Sequence, residues 1–306
     1  VPSSETQSVL TDPTATAASR SDLITAVPTP FLADGSLNVP GTKRLFTALA
    51  ARDIDGAFVA GTTGEFTTLE DDERLAVLEA GLEAFGAERA YLHVGAAHTR
   101  HAVKLTRAAV ALGARKLAAI TPYYFPAPLD AVVDYFRQVV DAAGGAAVYA
   151  YLFTARTWTV FPHDALGRLA EVGVTGVKIS GESDESVSAY LANAPAGFEV
   201  LSGNDIAYGE LVAAGGQGII SGVSSVFPQP FLNLRGALRA GDADGVSAAK
   251  EDVARAVGLV RAGSLTHLKA GLELQGLPAG PVRAGVEPIS DDDRAAIARE
   301  LERWNK

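Results

Sequence analysis

The chain contains no cysteine, which removes disulfides, thiolate zinc sites and a cysteine nucleophile from consideration. It also lacks any run near the ~18 uninterrupted apolar residues that a membrane-spanning helix needs. Positive charge is scarce: 26 Lys and Arg stand against 36 Asp and Glu, giving a net charge of −10. Such a surface repels nucleic acid and anionic membranes, so neither is an expected partner. It repels small anions at long range too, so an acidic substrate would need local positive charge or directed backbone N–H groups. The stretch Val1–Arg20 is rich in Ser, Thr and Ala and has no apolar core of the kind a secretory signal carries. We expect a flexible leader there and a cytoplasmic location.

What is present is an ordinary globular composition, 306 residues with 48% hydrophobic and 20% charged, enough for one large α/β domain or two small ones. From Leu23 onward, short apolar runs alternate with longer amphipathic stretches. The expected strands are Leu23–Val27, Ala57–Ala60, Tyr91–Val94, Leu117–Ile120, Ala147–Tyr151, Gly176–Ile179, Glu199–Leu201 and Gly218–Ile220. Helical spacing marks Asp71–Phe85, through Leu75, Leu78, Leu82 and Phe85, and Asp130–Ala142, through Val132, Val133, Phe136 and Val139. Eight strand–helix units predict a parallel sheet closed into a (β/α)8 TIM barrel, and the length suits one. Periodicity alone also allows an open doubly wound sheet. After Ser221 only helices are expected, over Gln229–Ala240, Asp244–Ala262, Leu265–Leu274 and Ser290–Trp304. One of them would be the eighth barrel helix. The rest, from about residue 241, would form a C-terminal helical extension within a single 21–306 domain.

In a parallel barrel, chemistry gathers at the C-terminal ends of strands. Lys178 lies near the end of the sixth strand among apolar neighbours, in Val177-Lys178-Ile179. Burial would push its pKa toward neutrality, and a neutral amine in a dry pocket attacks carbonyls. The competing reading is a structural lysine paired with a barrel carboxylate such as Glu65. Lys116, at the start of the fourth strand, would be structural. Gly61-Thr62-Thr63-Gly64-Glu65 follows the second strand, where glycines, hydroxyls and N–H groups could cradle a carboxylate, or simply form a tight turn. Tyr149 and Tyr151 share one face of the fifth strand, and Tyr123 and Tyr124 follow the fourth. A phenol beside an amine can shuttle protons, although packing is the commoner fate of a tyrosine. Arg156 could bind a carboxylate bidentately or merely be solvated. His98 and His101 have a spacing compatible with a metal, but no third ligand is evident. The Gly-rich run Ala213–Gly218 precedes a strand, which is the wrong context for a phosphate loop.

Taken in order, these segments resemble the dihydrodipicolinate synthase / N-acetylneuraminate lyase family of Schiff-base aldolases. The resemblance runs from Thr25-Ala26-Val27-Pro28-Thr29-Pro30-Phe31 through Gly61–Glu65, Thr121-Pro122-Tyr123-Tyr124, Tyr151…Arg156-Thr157 and Gly176-Val177-Lys178. It continues to Gly203-Asn204-Asp205, Gly218-Ile219-Ile220-Ser221, Val282-Arg283 and Pro288-Ile289-Ser290. It implies a TIM barrel with a C-terminal helical region, assembled as a homotetramer, a dimer of dimers. It implies Lys178 as the Schiff-base lysine and Tyr151 as the proton shuttle, with Tyr149 the competing choice. Thr62 and Thr63 would bind the 2-oxo acid carboxylate, Thr62 also relaying protons. Tyr124 would reach a neighbouring subunit's site and share in proton transfer there, Arg156 would take a second carboxylate, and Gly203 and Ile220 would line the substrate. No metal or organic cofactor is called for.

Three departures bear on substrate choice. Tyr151-Leu152-Phe153-Thr154 stands where the family has Tyr-Asn-Val/Ile-Pro. Ile179-Ser180-Gly181 replaces an acidic run after the lysine, and His93-Val94-Gly95-Ala96-Ala97-His98 lacks the usual Gly-x-Gly. The expected function is aldol addition or cleavage with pyruvate or a related 2-oxo acid and an aldehyde. The 4-hydroxy-tetrahydrodipicolinate synthase reaction comes second, and 2-keto-3-deoxy sugar-acid cleavage or dehydration third. A catalytically silent acid-binding barrel is the non-enzyme alternative, and a metal-dependent aldolase a further one.

Overall fold

The computed structural model describes residues 20–304; all but the last residue of the expected leader lie outside them. Eight strands form a closed parallel barrel in sequence order, with the last returning to the first. They are β1 (Asp22–Ala26), β2 (Gly56–Val59), β3 (Ala90–His93), β4 (Lys116–Ile120), β5 (Ala147–Leu152), β6 (Gly176–Ile179), β7 (Glu199–Ser202) and β8 (Gly218–Ser221). The open-sheet alternative is thereby excluded. Around the barrel run α1 (Val39–Ala50), α2 (Asp71–Phe85), α3 (Thr99–Ala111), α4 (Leu129–Ala143), the short α5 (Thr154–Thr157), α6 (Leu166–Glu171), α7 (Asp184–Asn193), α8 (Tyr208–Ala213) and α9 (Pro228–Ala240). Thus α9 is the eighth barrel helix. After it come α10 (Ala243–Leu259), α11 (Leu265–Leu274) and α12 (Asp291–Trp304).

The two-residue period of the strands sorts their side chains into two cores. Leu23, Val59, Leu92, Val148, Ala150, Val177, Ile179 and Ile219 face outward and pack under the helices. Ile24, Phe58, Tyr91, Ile120, Tyr149, Tyr151, Leu201 and Ile220 point inward and fill the barrel. Lys178 falls between two outward residues and so points into the barrel. Register then sets its neighbours: it lies opposite Tyr151 on one side and Leu201 on the other.

Helix starts are fixed by local chemistry. Asn38 Oδ1 accepts the Gly41 N–H at 2.8 Å to cap α1, and Glu70 with Glu73 forms a capping box at α2. The buried stripe of α2 differs from the expected leucine spacing. Arg74, Val77, Leu78, Gly81 and Phe85 are buried, whereas Leu75 and Leu82 are only partly so. Gly81 brings the helix close to β2, where a Cβ would approach Val59 to 2.9 Å. Among the described residues no helix is long and apolar enough to cross a membrane.

Candidate active site

A cavity of about 390 Å3 opens at the C-terminal end of the strands. Lys178, Tyr151, Thr62, Thr63, Arg156, Gly203 and Ile220 all line it, together with Ser180, Glu182 and Asp205. Of the residues to which the family resemblance gives a catalytic or substrate-binding role, Tyr124 is left outside.

Lys178 is 5% exposed. Its Nζ sits 4.3 Å from the centre of the Phe58 ring and 4.2 Å from that of Tyr151, and it makes no ion pair among the described residues. Glu65, the carboxylate of the competing reading, is 2.7 Å from Lys269 Nζ instead. Burial pushes the Lys178 ammonium down to about 7, against a smaller opposing pull from the Asp205 charge. An unpaired, desolvated lysine of this kind is an amine for a large fraction of the time at neutral pH.

Tyr151 is 1% exposed, and its hydroxyl lies 3.2 Å from Thr62 Oγ1. Burial raises the pKa of the phenol, offset by hydrogen bonds with Thr62 and Ser180 and by the Arg156 charge. The phenol therefore stays protonated beside the amine. Tyr149 shares its face but occupies the other end of the barrel. There its hydroxyl donates to Glu199 Oε2 at 2.9 Å and its ring meets Tyr91 at 5.1 Å. It lines no part of the cavity.

The threonine turn is shaped by close approach. Glu65 N–H donates to Thr62 O and Phe66 N–H to Gly61 O. The left-handed backbone belongs to Ala60 (φ 51°) and Glu65 (φ 55°) and not to the glycines. Gly61 is needed for space, because a Cβ there would stand 2.4 Å from the Phe58 ring. Below the turn the buried His93 holds Ala60 O at 3.0 Å through Nδ1 and accepts the Ile120 N–H through Nε2 at 3.2 Å. These contacts fix the neutral tautomer with its proton on Nδ1, and burial and two nearby cations drive its pKa down.

Asp205, which the sequence marks only as part of the segment Gly203-Asn204-Asp205, is 8% exposed in the cavity wall. Its carboxyl is raised by burial, against a hydrogen bond with Ser221 and the Lys178 charge. Its Oδ1 has no hydrogen-bond partner among the described residues. Glu182 is a second residue that the sequence reading passed over. It lines the cavity while accepting from Thr154 Oγ1 at 3.0 Å and Ser186 Oγ at 2.9 Å. Neither could be picked out from pattern, since both owe their place to loops that fold back over the strand ends.

Tyr124 is 79% exposed with φ 79°, stacked edge-on against the exposed Phe125. His101 Nε2 lies 2.6 Å from Asp71 Oδ1. Among the described residues no group of three or more potential ligands converges on a point.

A closed parallel barrel with an unpaired buried lysine and a protonated phenol at its C-terminal mouth has the architecture of a Schiff-base-forming lyase, and the chain is an enzyme of that class. It belongs to the dihydrodipicolinate synthetase family, which matches residues 19–304. The 4-hydroxy-tetrahydrodipicolinate synthase of Acidothermus cellulolyticus is 35% identical over 280 residues, 90% of this chain and 89% of that protein. The E. coli K12 prophage protein YagE, solved in complex with pyruvate, superposes with a TM-score of 0.85 at 26% identity, covering 93% of this chain and 98% of that one. N-acetylneuraminate lyase of Proteus mirabilis gives 0.84 at 25% identity, covering 93% and 98%.

Proposed function

We propose that the chain catalyses aldol addition or cleavage between pyruvate, or a related 2-oxo acid, and an aldehyde, with Lys178 as the nucleophile. The observation that carries this reading is the buried, unpaired Lys178 amine beside a Tyr151 hydroxyl bonded to Thr62, on the wall of one cavity. The Lys178 amine adds to the C2 ketone to give a carbinolamine, whose hydroxyl takes a proton and leaves as water. The resulting protonated imine withdraws electrons from C3. In the synthetic direction C3 loses a proton to form an enamine, which bonds to the aldehyde carbon while the aldehyde oxygen takes a proton. Hydrolysis then frees Lys178. In the cleaving direction the same steps run backwards. Tyr151, bonded to Thr62, carries these protons. Thr62 and Thr63 hold the 2-oxo acid carboxylate, Arg156 meets a second anionic group, and Gly203 and Ile220 line the space for the substrate chain. The cavity is of a size for two small substrates.

The second reading is the 4-hydroxy-tetrahydrodipicolinate synthase reaction, favoured by the names of the relatives. The Leu152-Phe153-Thr154 and Ile179-Ser180-Gly181 departures place it behind the first. We assign the enzyme to the cytoplasm and to a homotetramer. Tyr124, Phe125, Trp158 and Val160, all more than two-thirds exposed, support assembly, because the loops bearing them are tied together by Thr159 through Ala127 and Pro122. A neighbouring copy covering them would bring Tyr124 to the site.

Borohydride trapping with pyruvate, followed by peptide mass spectrometry, tests the reading. A pyruvate adduct on Lys178 is expected; none with pyruvate or longer 2-oxo acids would overturn it.

A further inference from the structure

The turn carrying Thr62 and Thr63 is held by groups far away in the chain. Glu65, at its end, has a fully buried side chain in a backbone conformation that a non-glycine residue adopts only under constraint. One carboxylate oxygen faces Lys269 Nζ of α11 at 2.7 Å. The other accepts the backbone N–H groups of Arg283 and Ala284, both at 2.8 Å. Lys269 also donates to Pro281 O at 2.7 Å and lies over the Phe31 ring at 4.4 Å. The Arg283 guanidinium covers that ring too, at 4.1 Å, and forks onto both oxygens of Glu73 at 2.6 and 2.8 Å. At the middle of the turn Thr29 Oγ1 donates to Gly64 O at 2.8 Å.

We propose that Glu65, Lys269 and the Pro281–Ala284 segment form a clamp that sets the position of Thr62 and Thr63, making Glu65 and Lys269 positioning residues for binding the 2-oxo acid. This rests on the reading of Lys178 and the threonine turn given above. Two desolvated ions contribute little net stability as a pair. What the charges add is geometry. Lys269 faces one oxygen of the carboxylate while two adjacent N–H donors bind the other, so the left-handed Glu65 is held at both oxygens and the turn with it. A carboxylate ligand met by hydroxyls and N–H groups of that turn then finds its donors already aimed.

The test is pyruvate-dependent borohydride trapping on Lys178, measured with the thermal melt, for wild type and a Glu65→Gln/Lys269→Met double variant. Removing both charges avoids leaving one buried alone. The half-saturating pyruvate concentration should rise by about tenfold, the worth of one misaligned hydrogen bond, while trapping at saturation stays near the wild-type rate. Equal half-saturation in the two proteins would overturn the clamp, whatever the melting temperature does. Should the double variant fail to fold, Arg283→Lys keeps the charge but loses the fork onto Glu73 and should move half-saturation in the same direction by less. No movement there overturns the clamp too. Absence of any adduct on wild-type Lys178 would instead remove the reading beneath it, and the clamp with it.

Discussion

The barrel holds a lysine and tyrosines at each of its two ends, and the chemistry of the two sets differs completely. At the N-terminal floor, Lys116 Nζ donates to the Tyr91 hydroxyl at 3.1 Å and Tyr149 donates to Glu199. Beside them Gln217 donates to Asp22 at 2.8 Å. Donors meet acceptors throughout, and half-buried Lys116 is within reach of water. At the mouth, among the described residues, Lys178 has aromatic faces for neighbours and no carboxylate in bonding reach, and Tyr151 bonds to hydroxyls. The same residue types are satisfied by charged or polar partners at one end and desolvated among rings and hydroxyls at the other, the setting that moves a pKa.

The contrast can be broken by substitution. Lys178→Ala should abolish the borohydride adduct and bring turnover to background; an adduct moving to Lys116 would show that the two ends are not distinct. Tyr151→Phe should lower turnover by about 10²- to 10⁴-fold, the range for a positioned proton carrier, whereas Tyr149→Phe should leave the steady-state rate near wild type. The pH profile sharpens the difference further. Because burial brings Lys178 down to about 7, its amine fraction falls with decreasing pH, and imine formation should drop about tenfold per unit well below that value. A limb displaced toward ordinary lysine titration in stopped-flow imine formation would refute the desolvation argument. Thr62→Val removes one hydroxyl partner of Tyr151 and should cost about tenfold in kcat/KM. Smallest of all, Lys116→Met should leave kinetics unchanged and lower the melting temperature by about 2 °C, the loss of one partly exposed hydrogen bond.

Much of this was legible in the sequence, for reasons that differ from residue to residue. Gly176–Ile179 and Leu265–Leu274 coincide with their expected bounds, and the other expected strands shift by a residue or so at their ends. Strand composition and barrel alternation suffice for that. Lys178 stood out because a cation inside an apolar strand needs an explanation. That Tyr149 and Tyr151 share a face follows from the period of two, and chain order puts Tyr151 nearer the mouth, but that it lies opposite Lys178 depends on register with β6. Asp205 and Glu182 were illegible because nothing local announces that a loop will bury or aim them. The partner of Glu65 was equally hidden, because α11 approaches the threonine turn from outside the barrel, where strand order has no say.

That long-range pairing has a consequence for the order in which the protein is made. The barrel cannot close until β8 has left the ribosome to pair with β1. Even then the threonine turn lacks Lys269 and the Arg283 and Ala284 N–H groups that complete its Glu65 anchor. A nascent chain that has just finished its sheet thus carries Lys178 and Tyr151 side by side before the turn at Gly61–Glu65 is anchored. Helix α11 and the segment after it, both made later than the sheet, complete the anchor of the turn that carries Thr62 and Thr63.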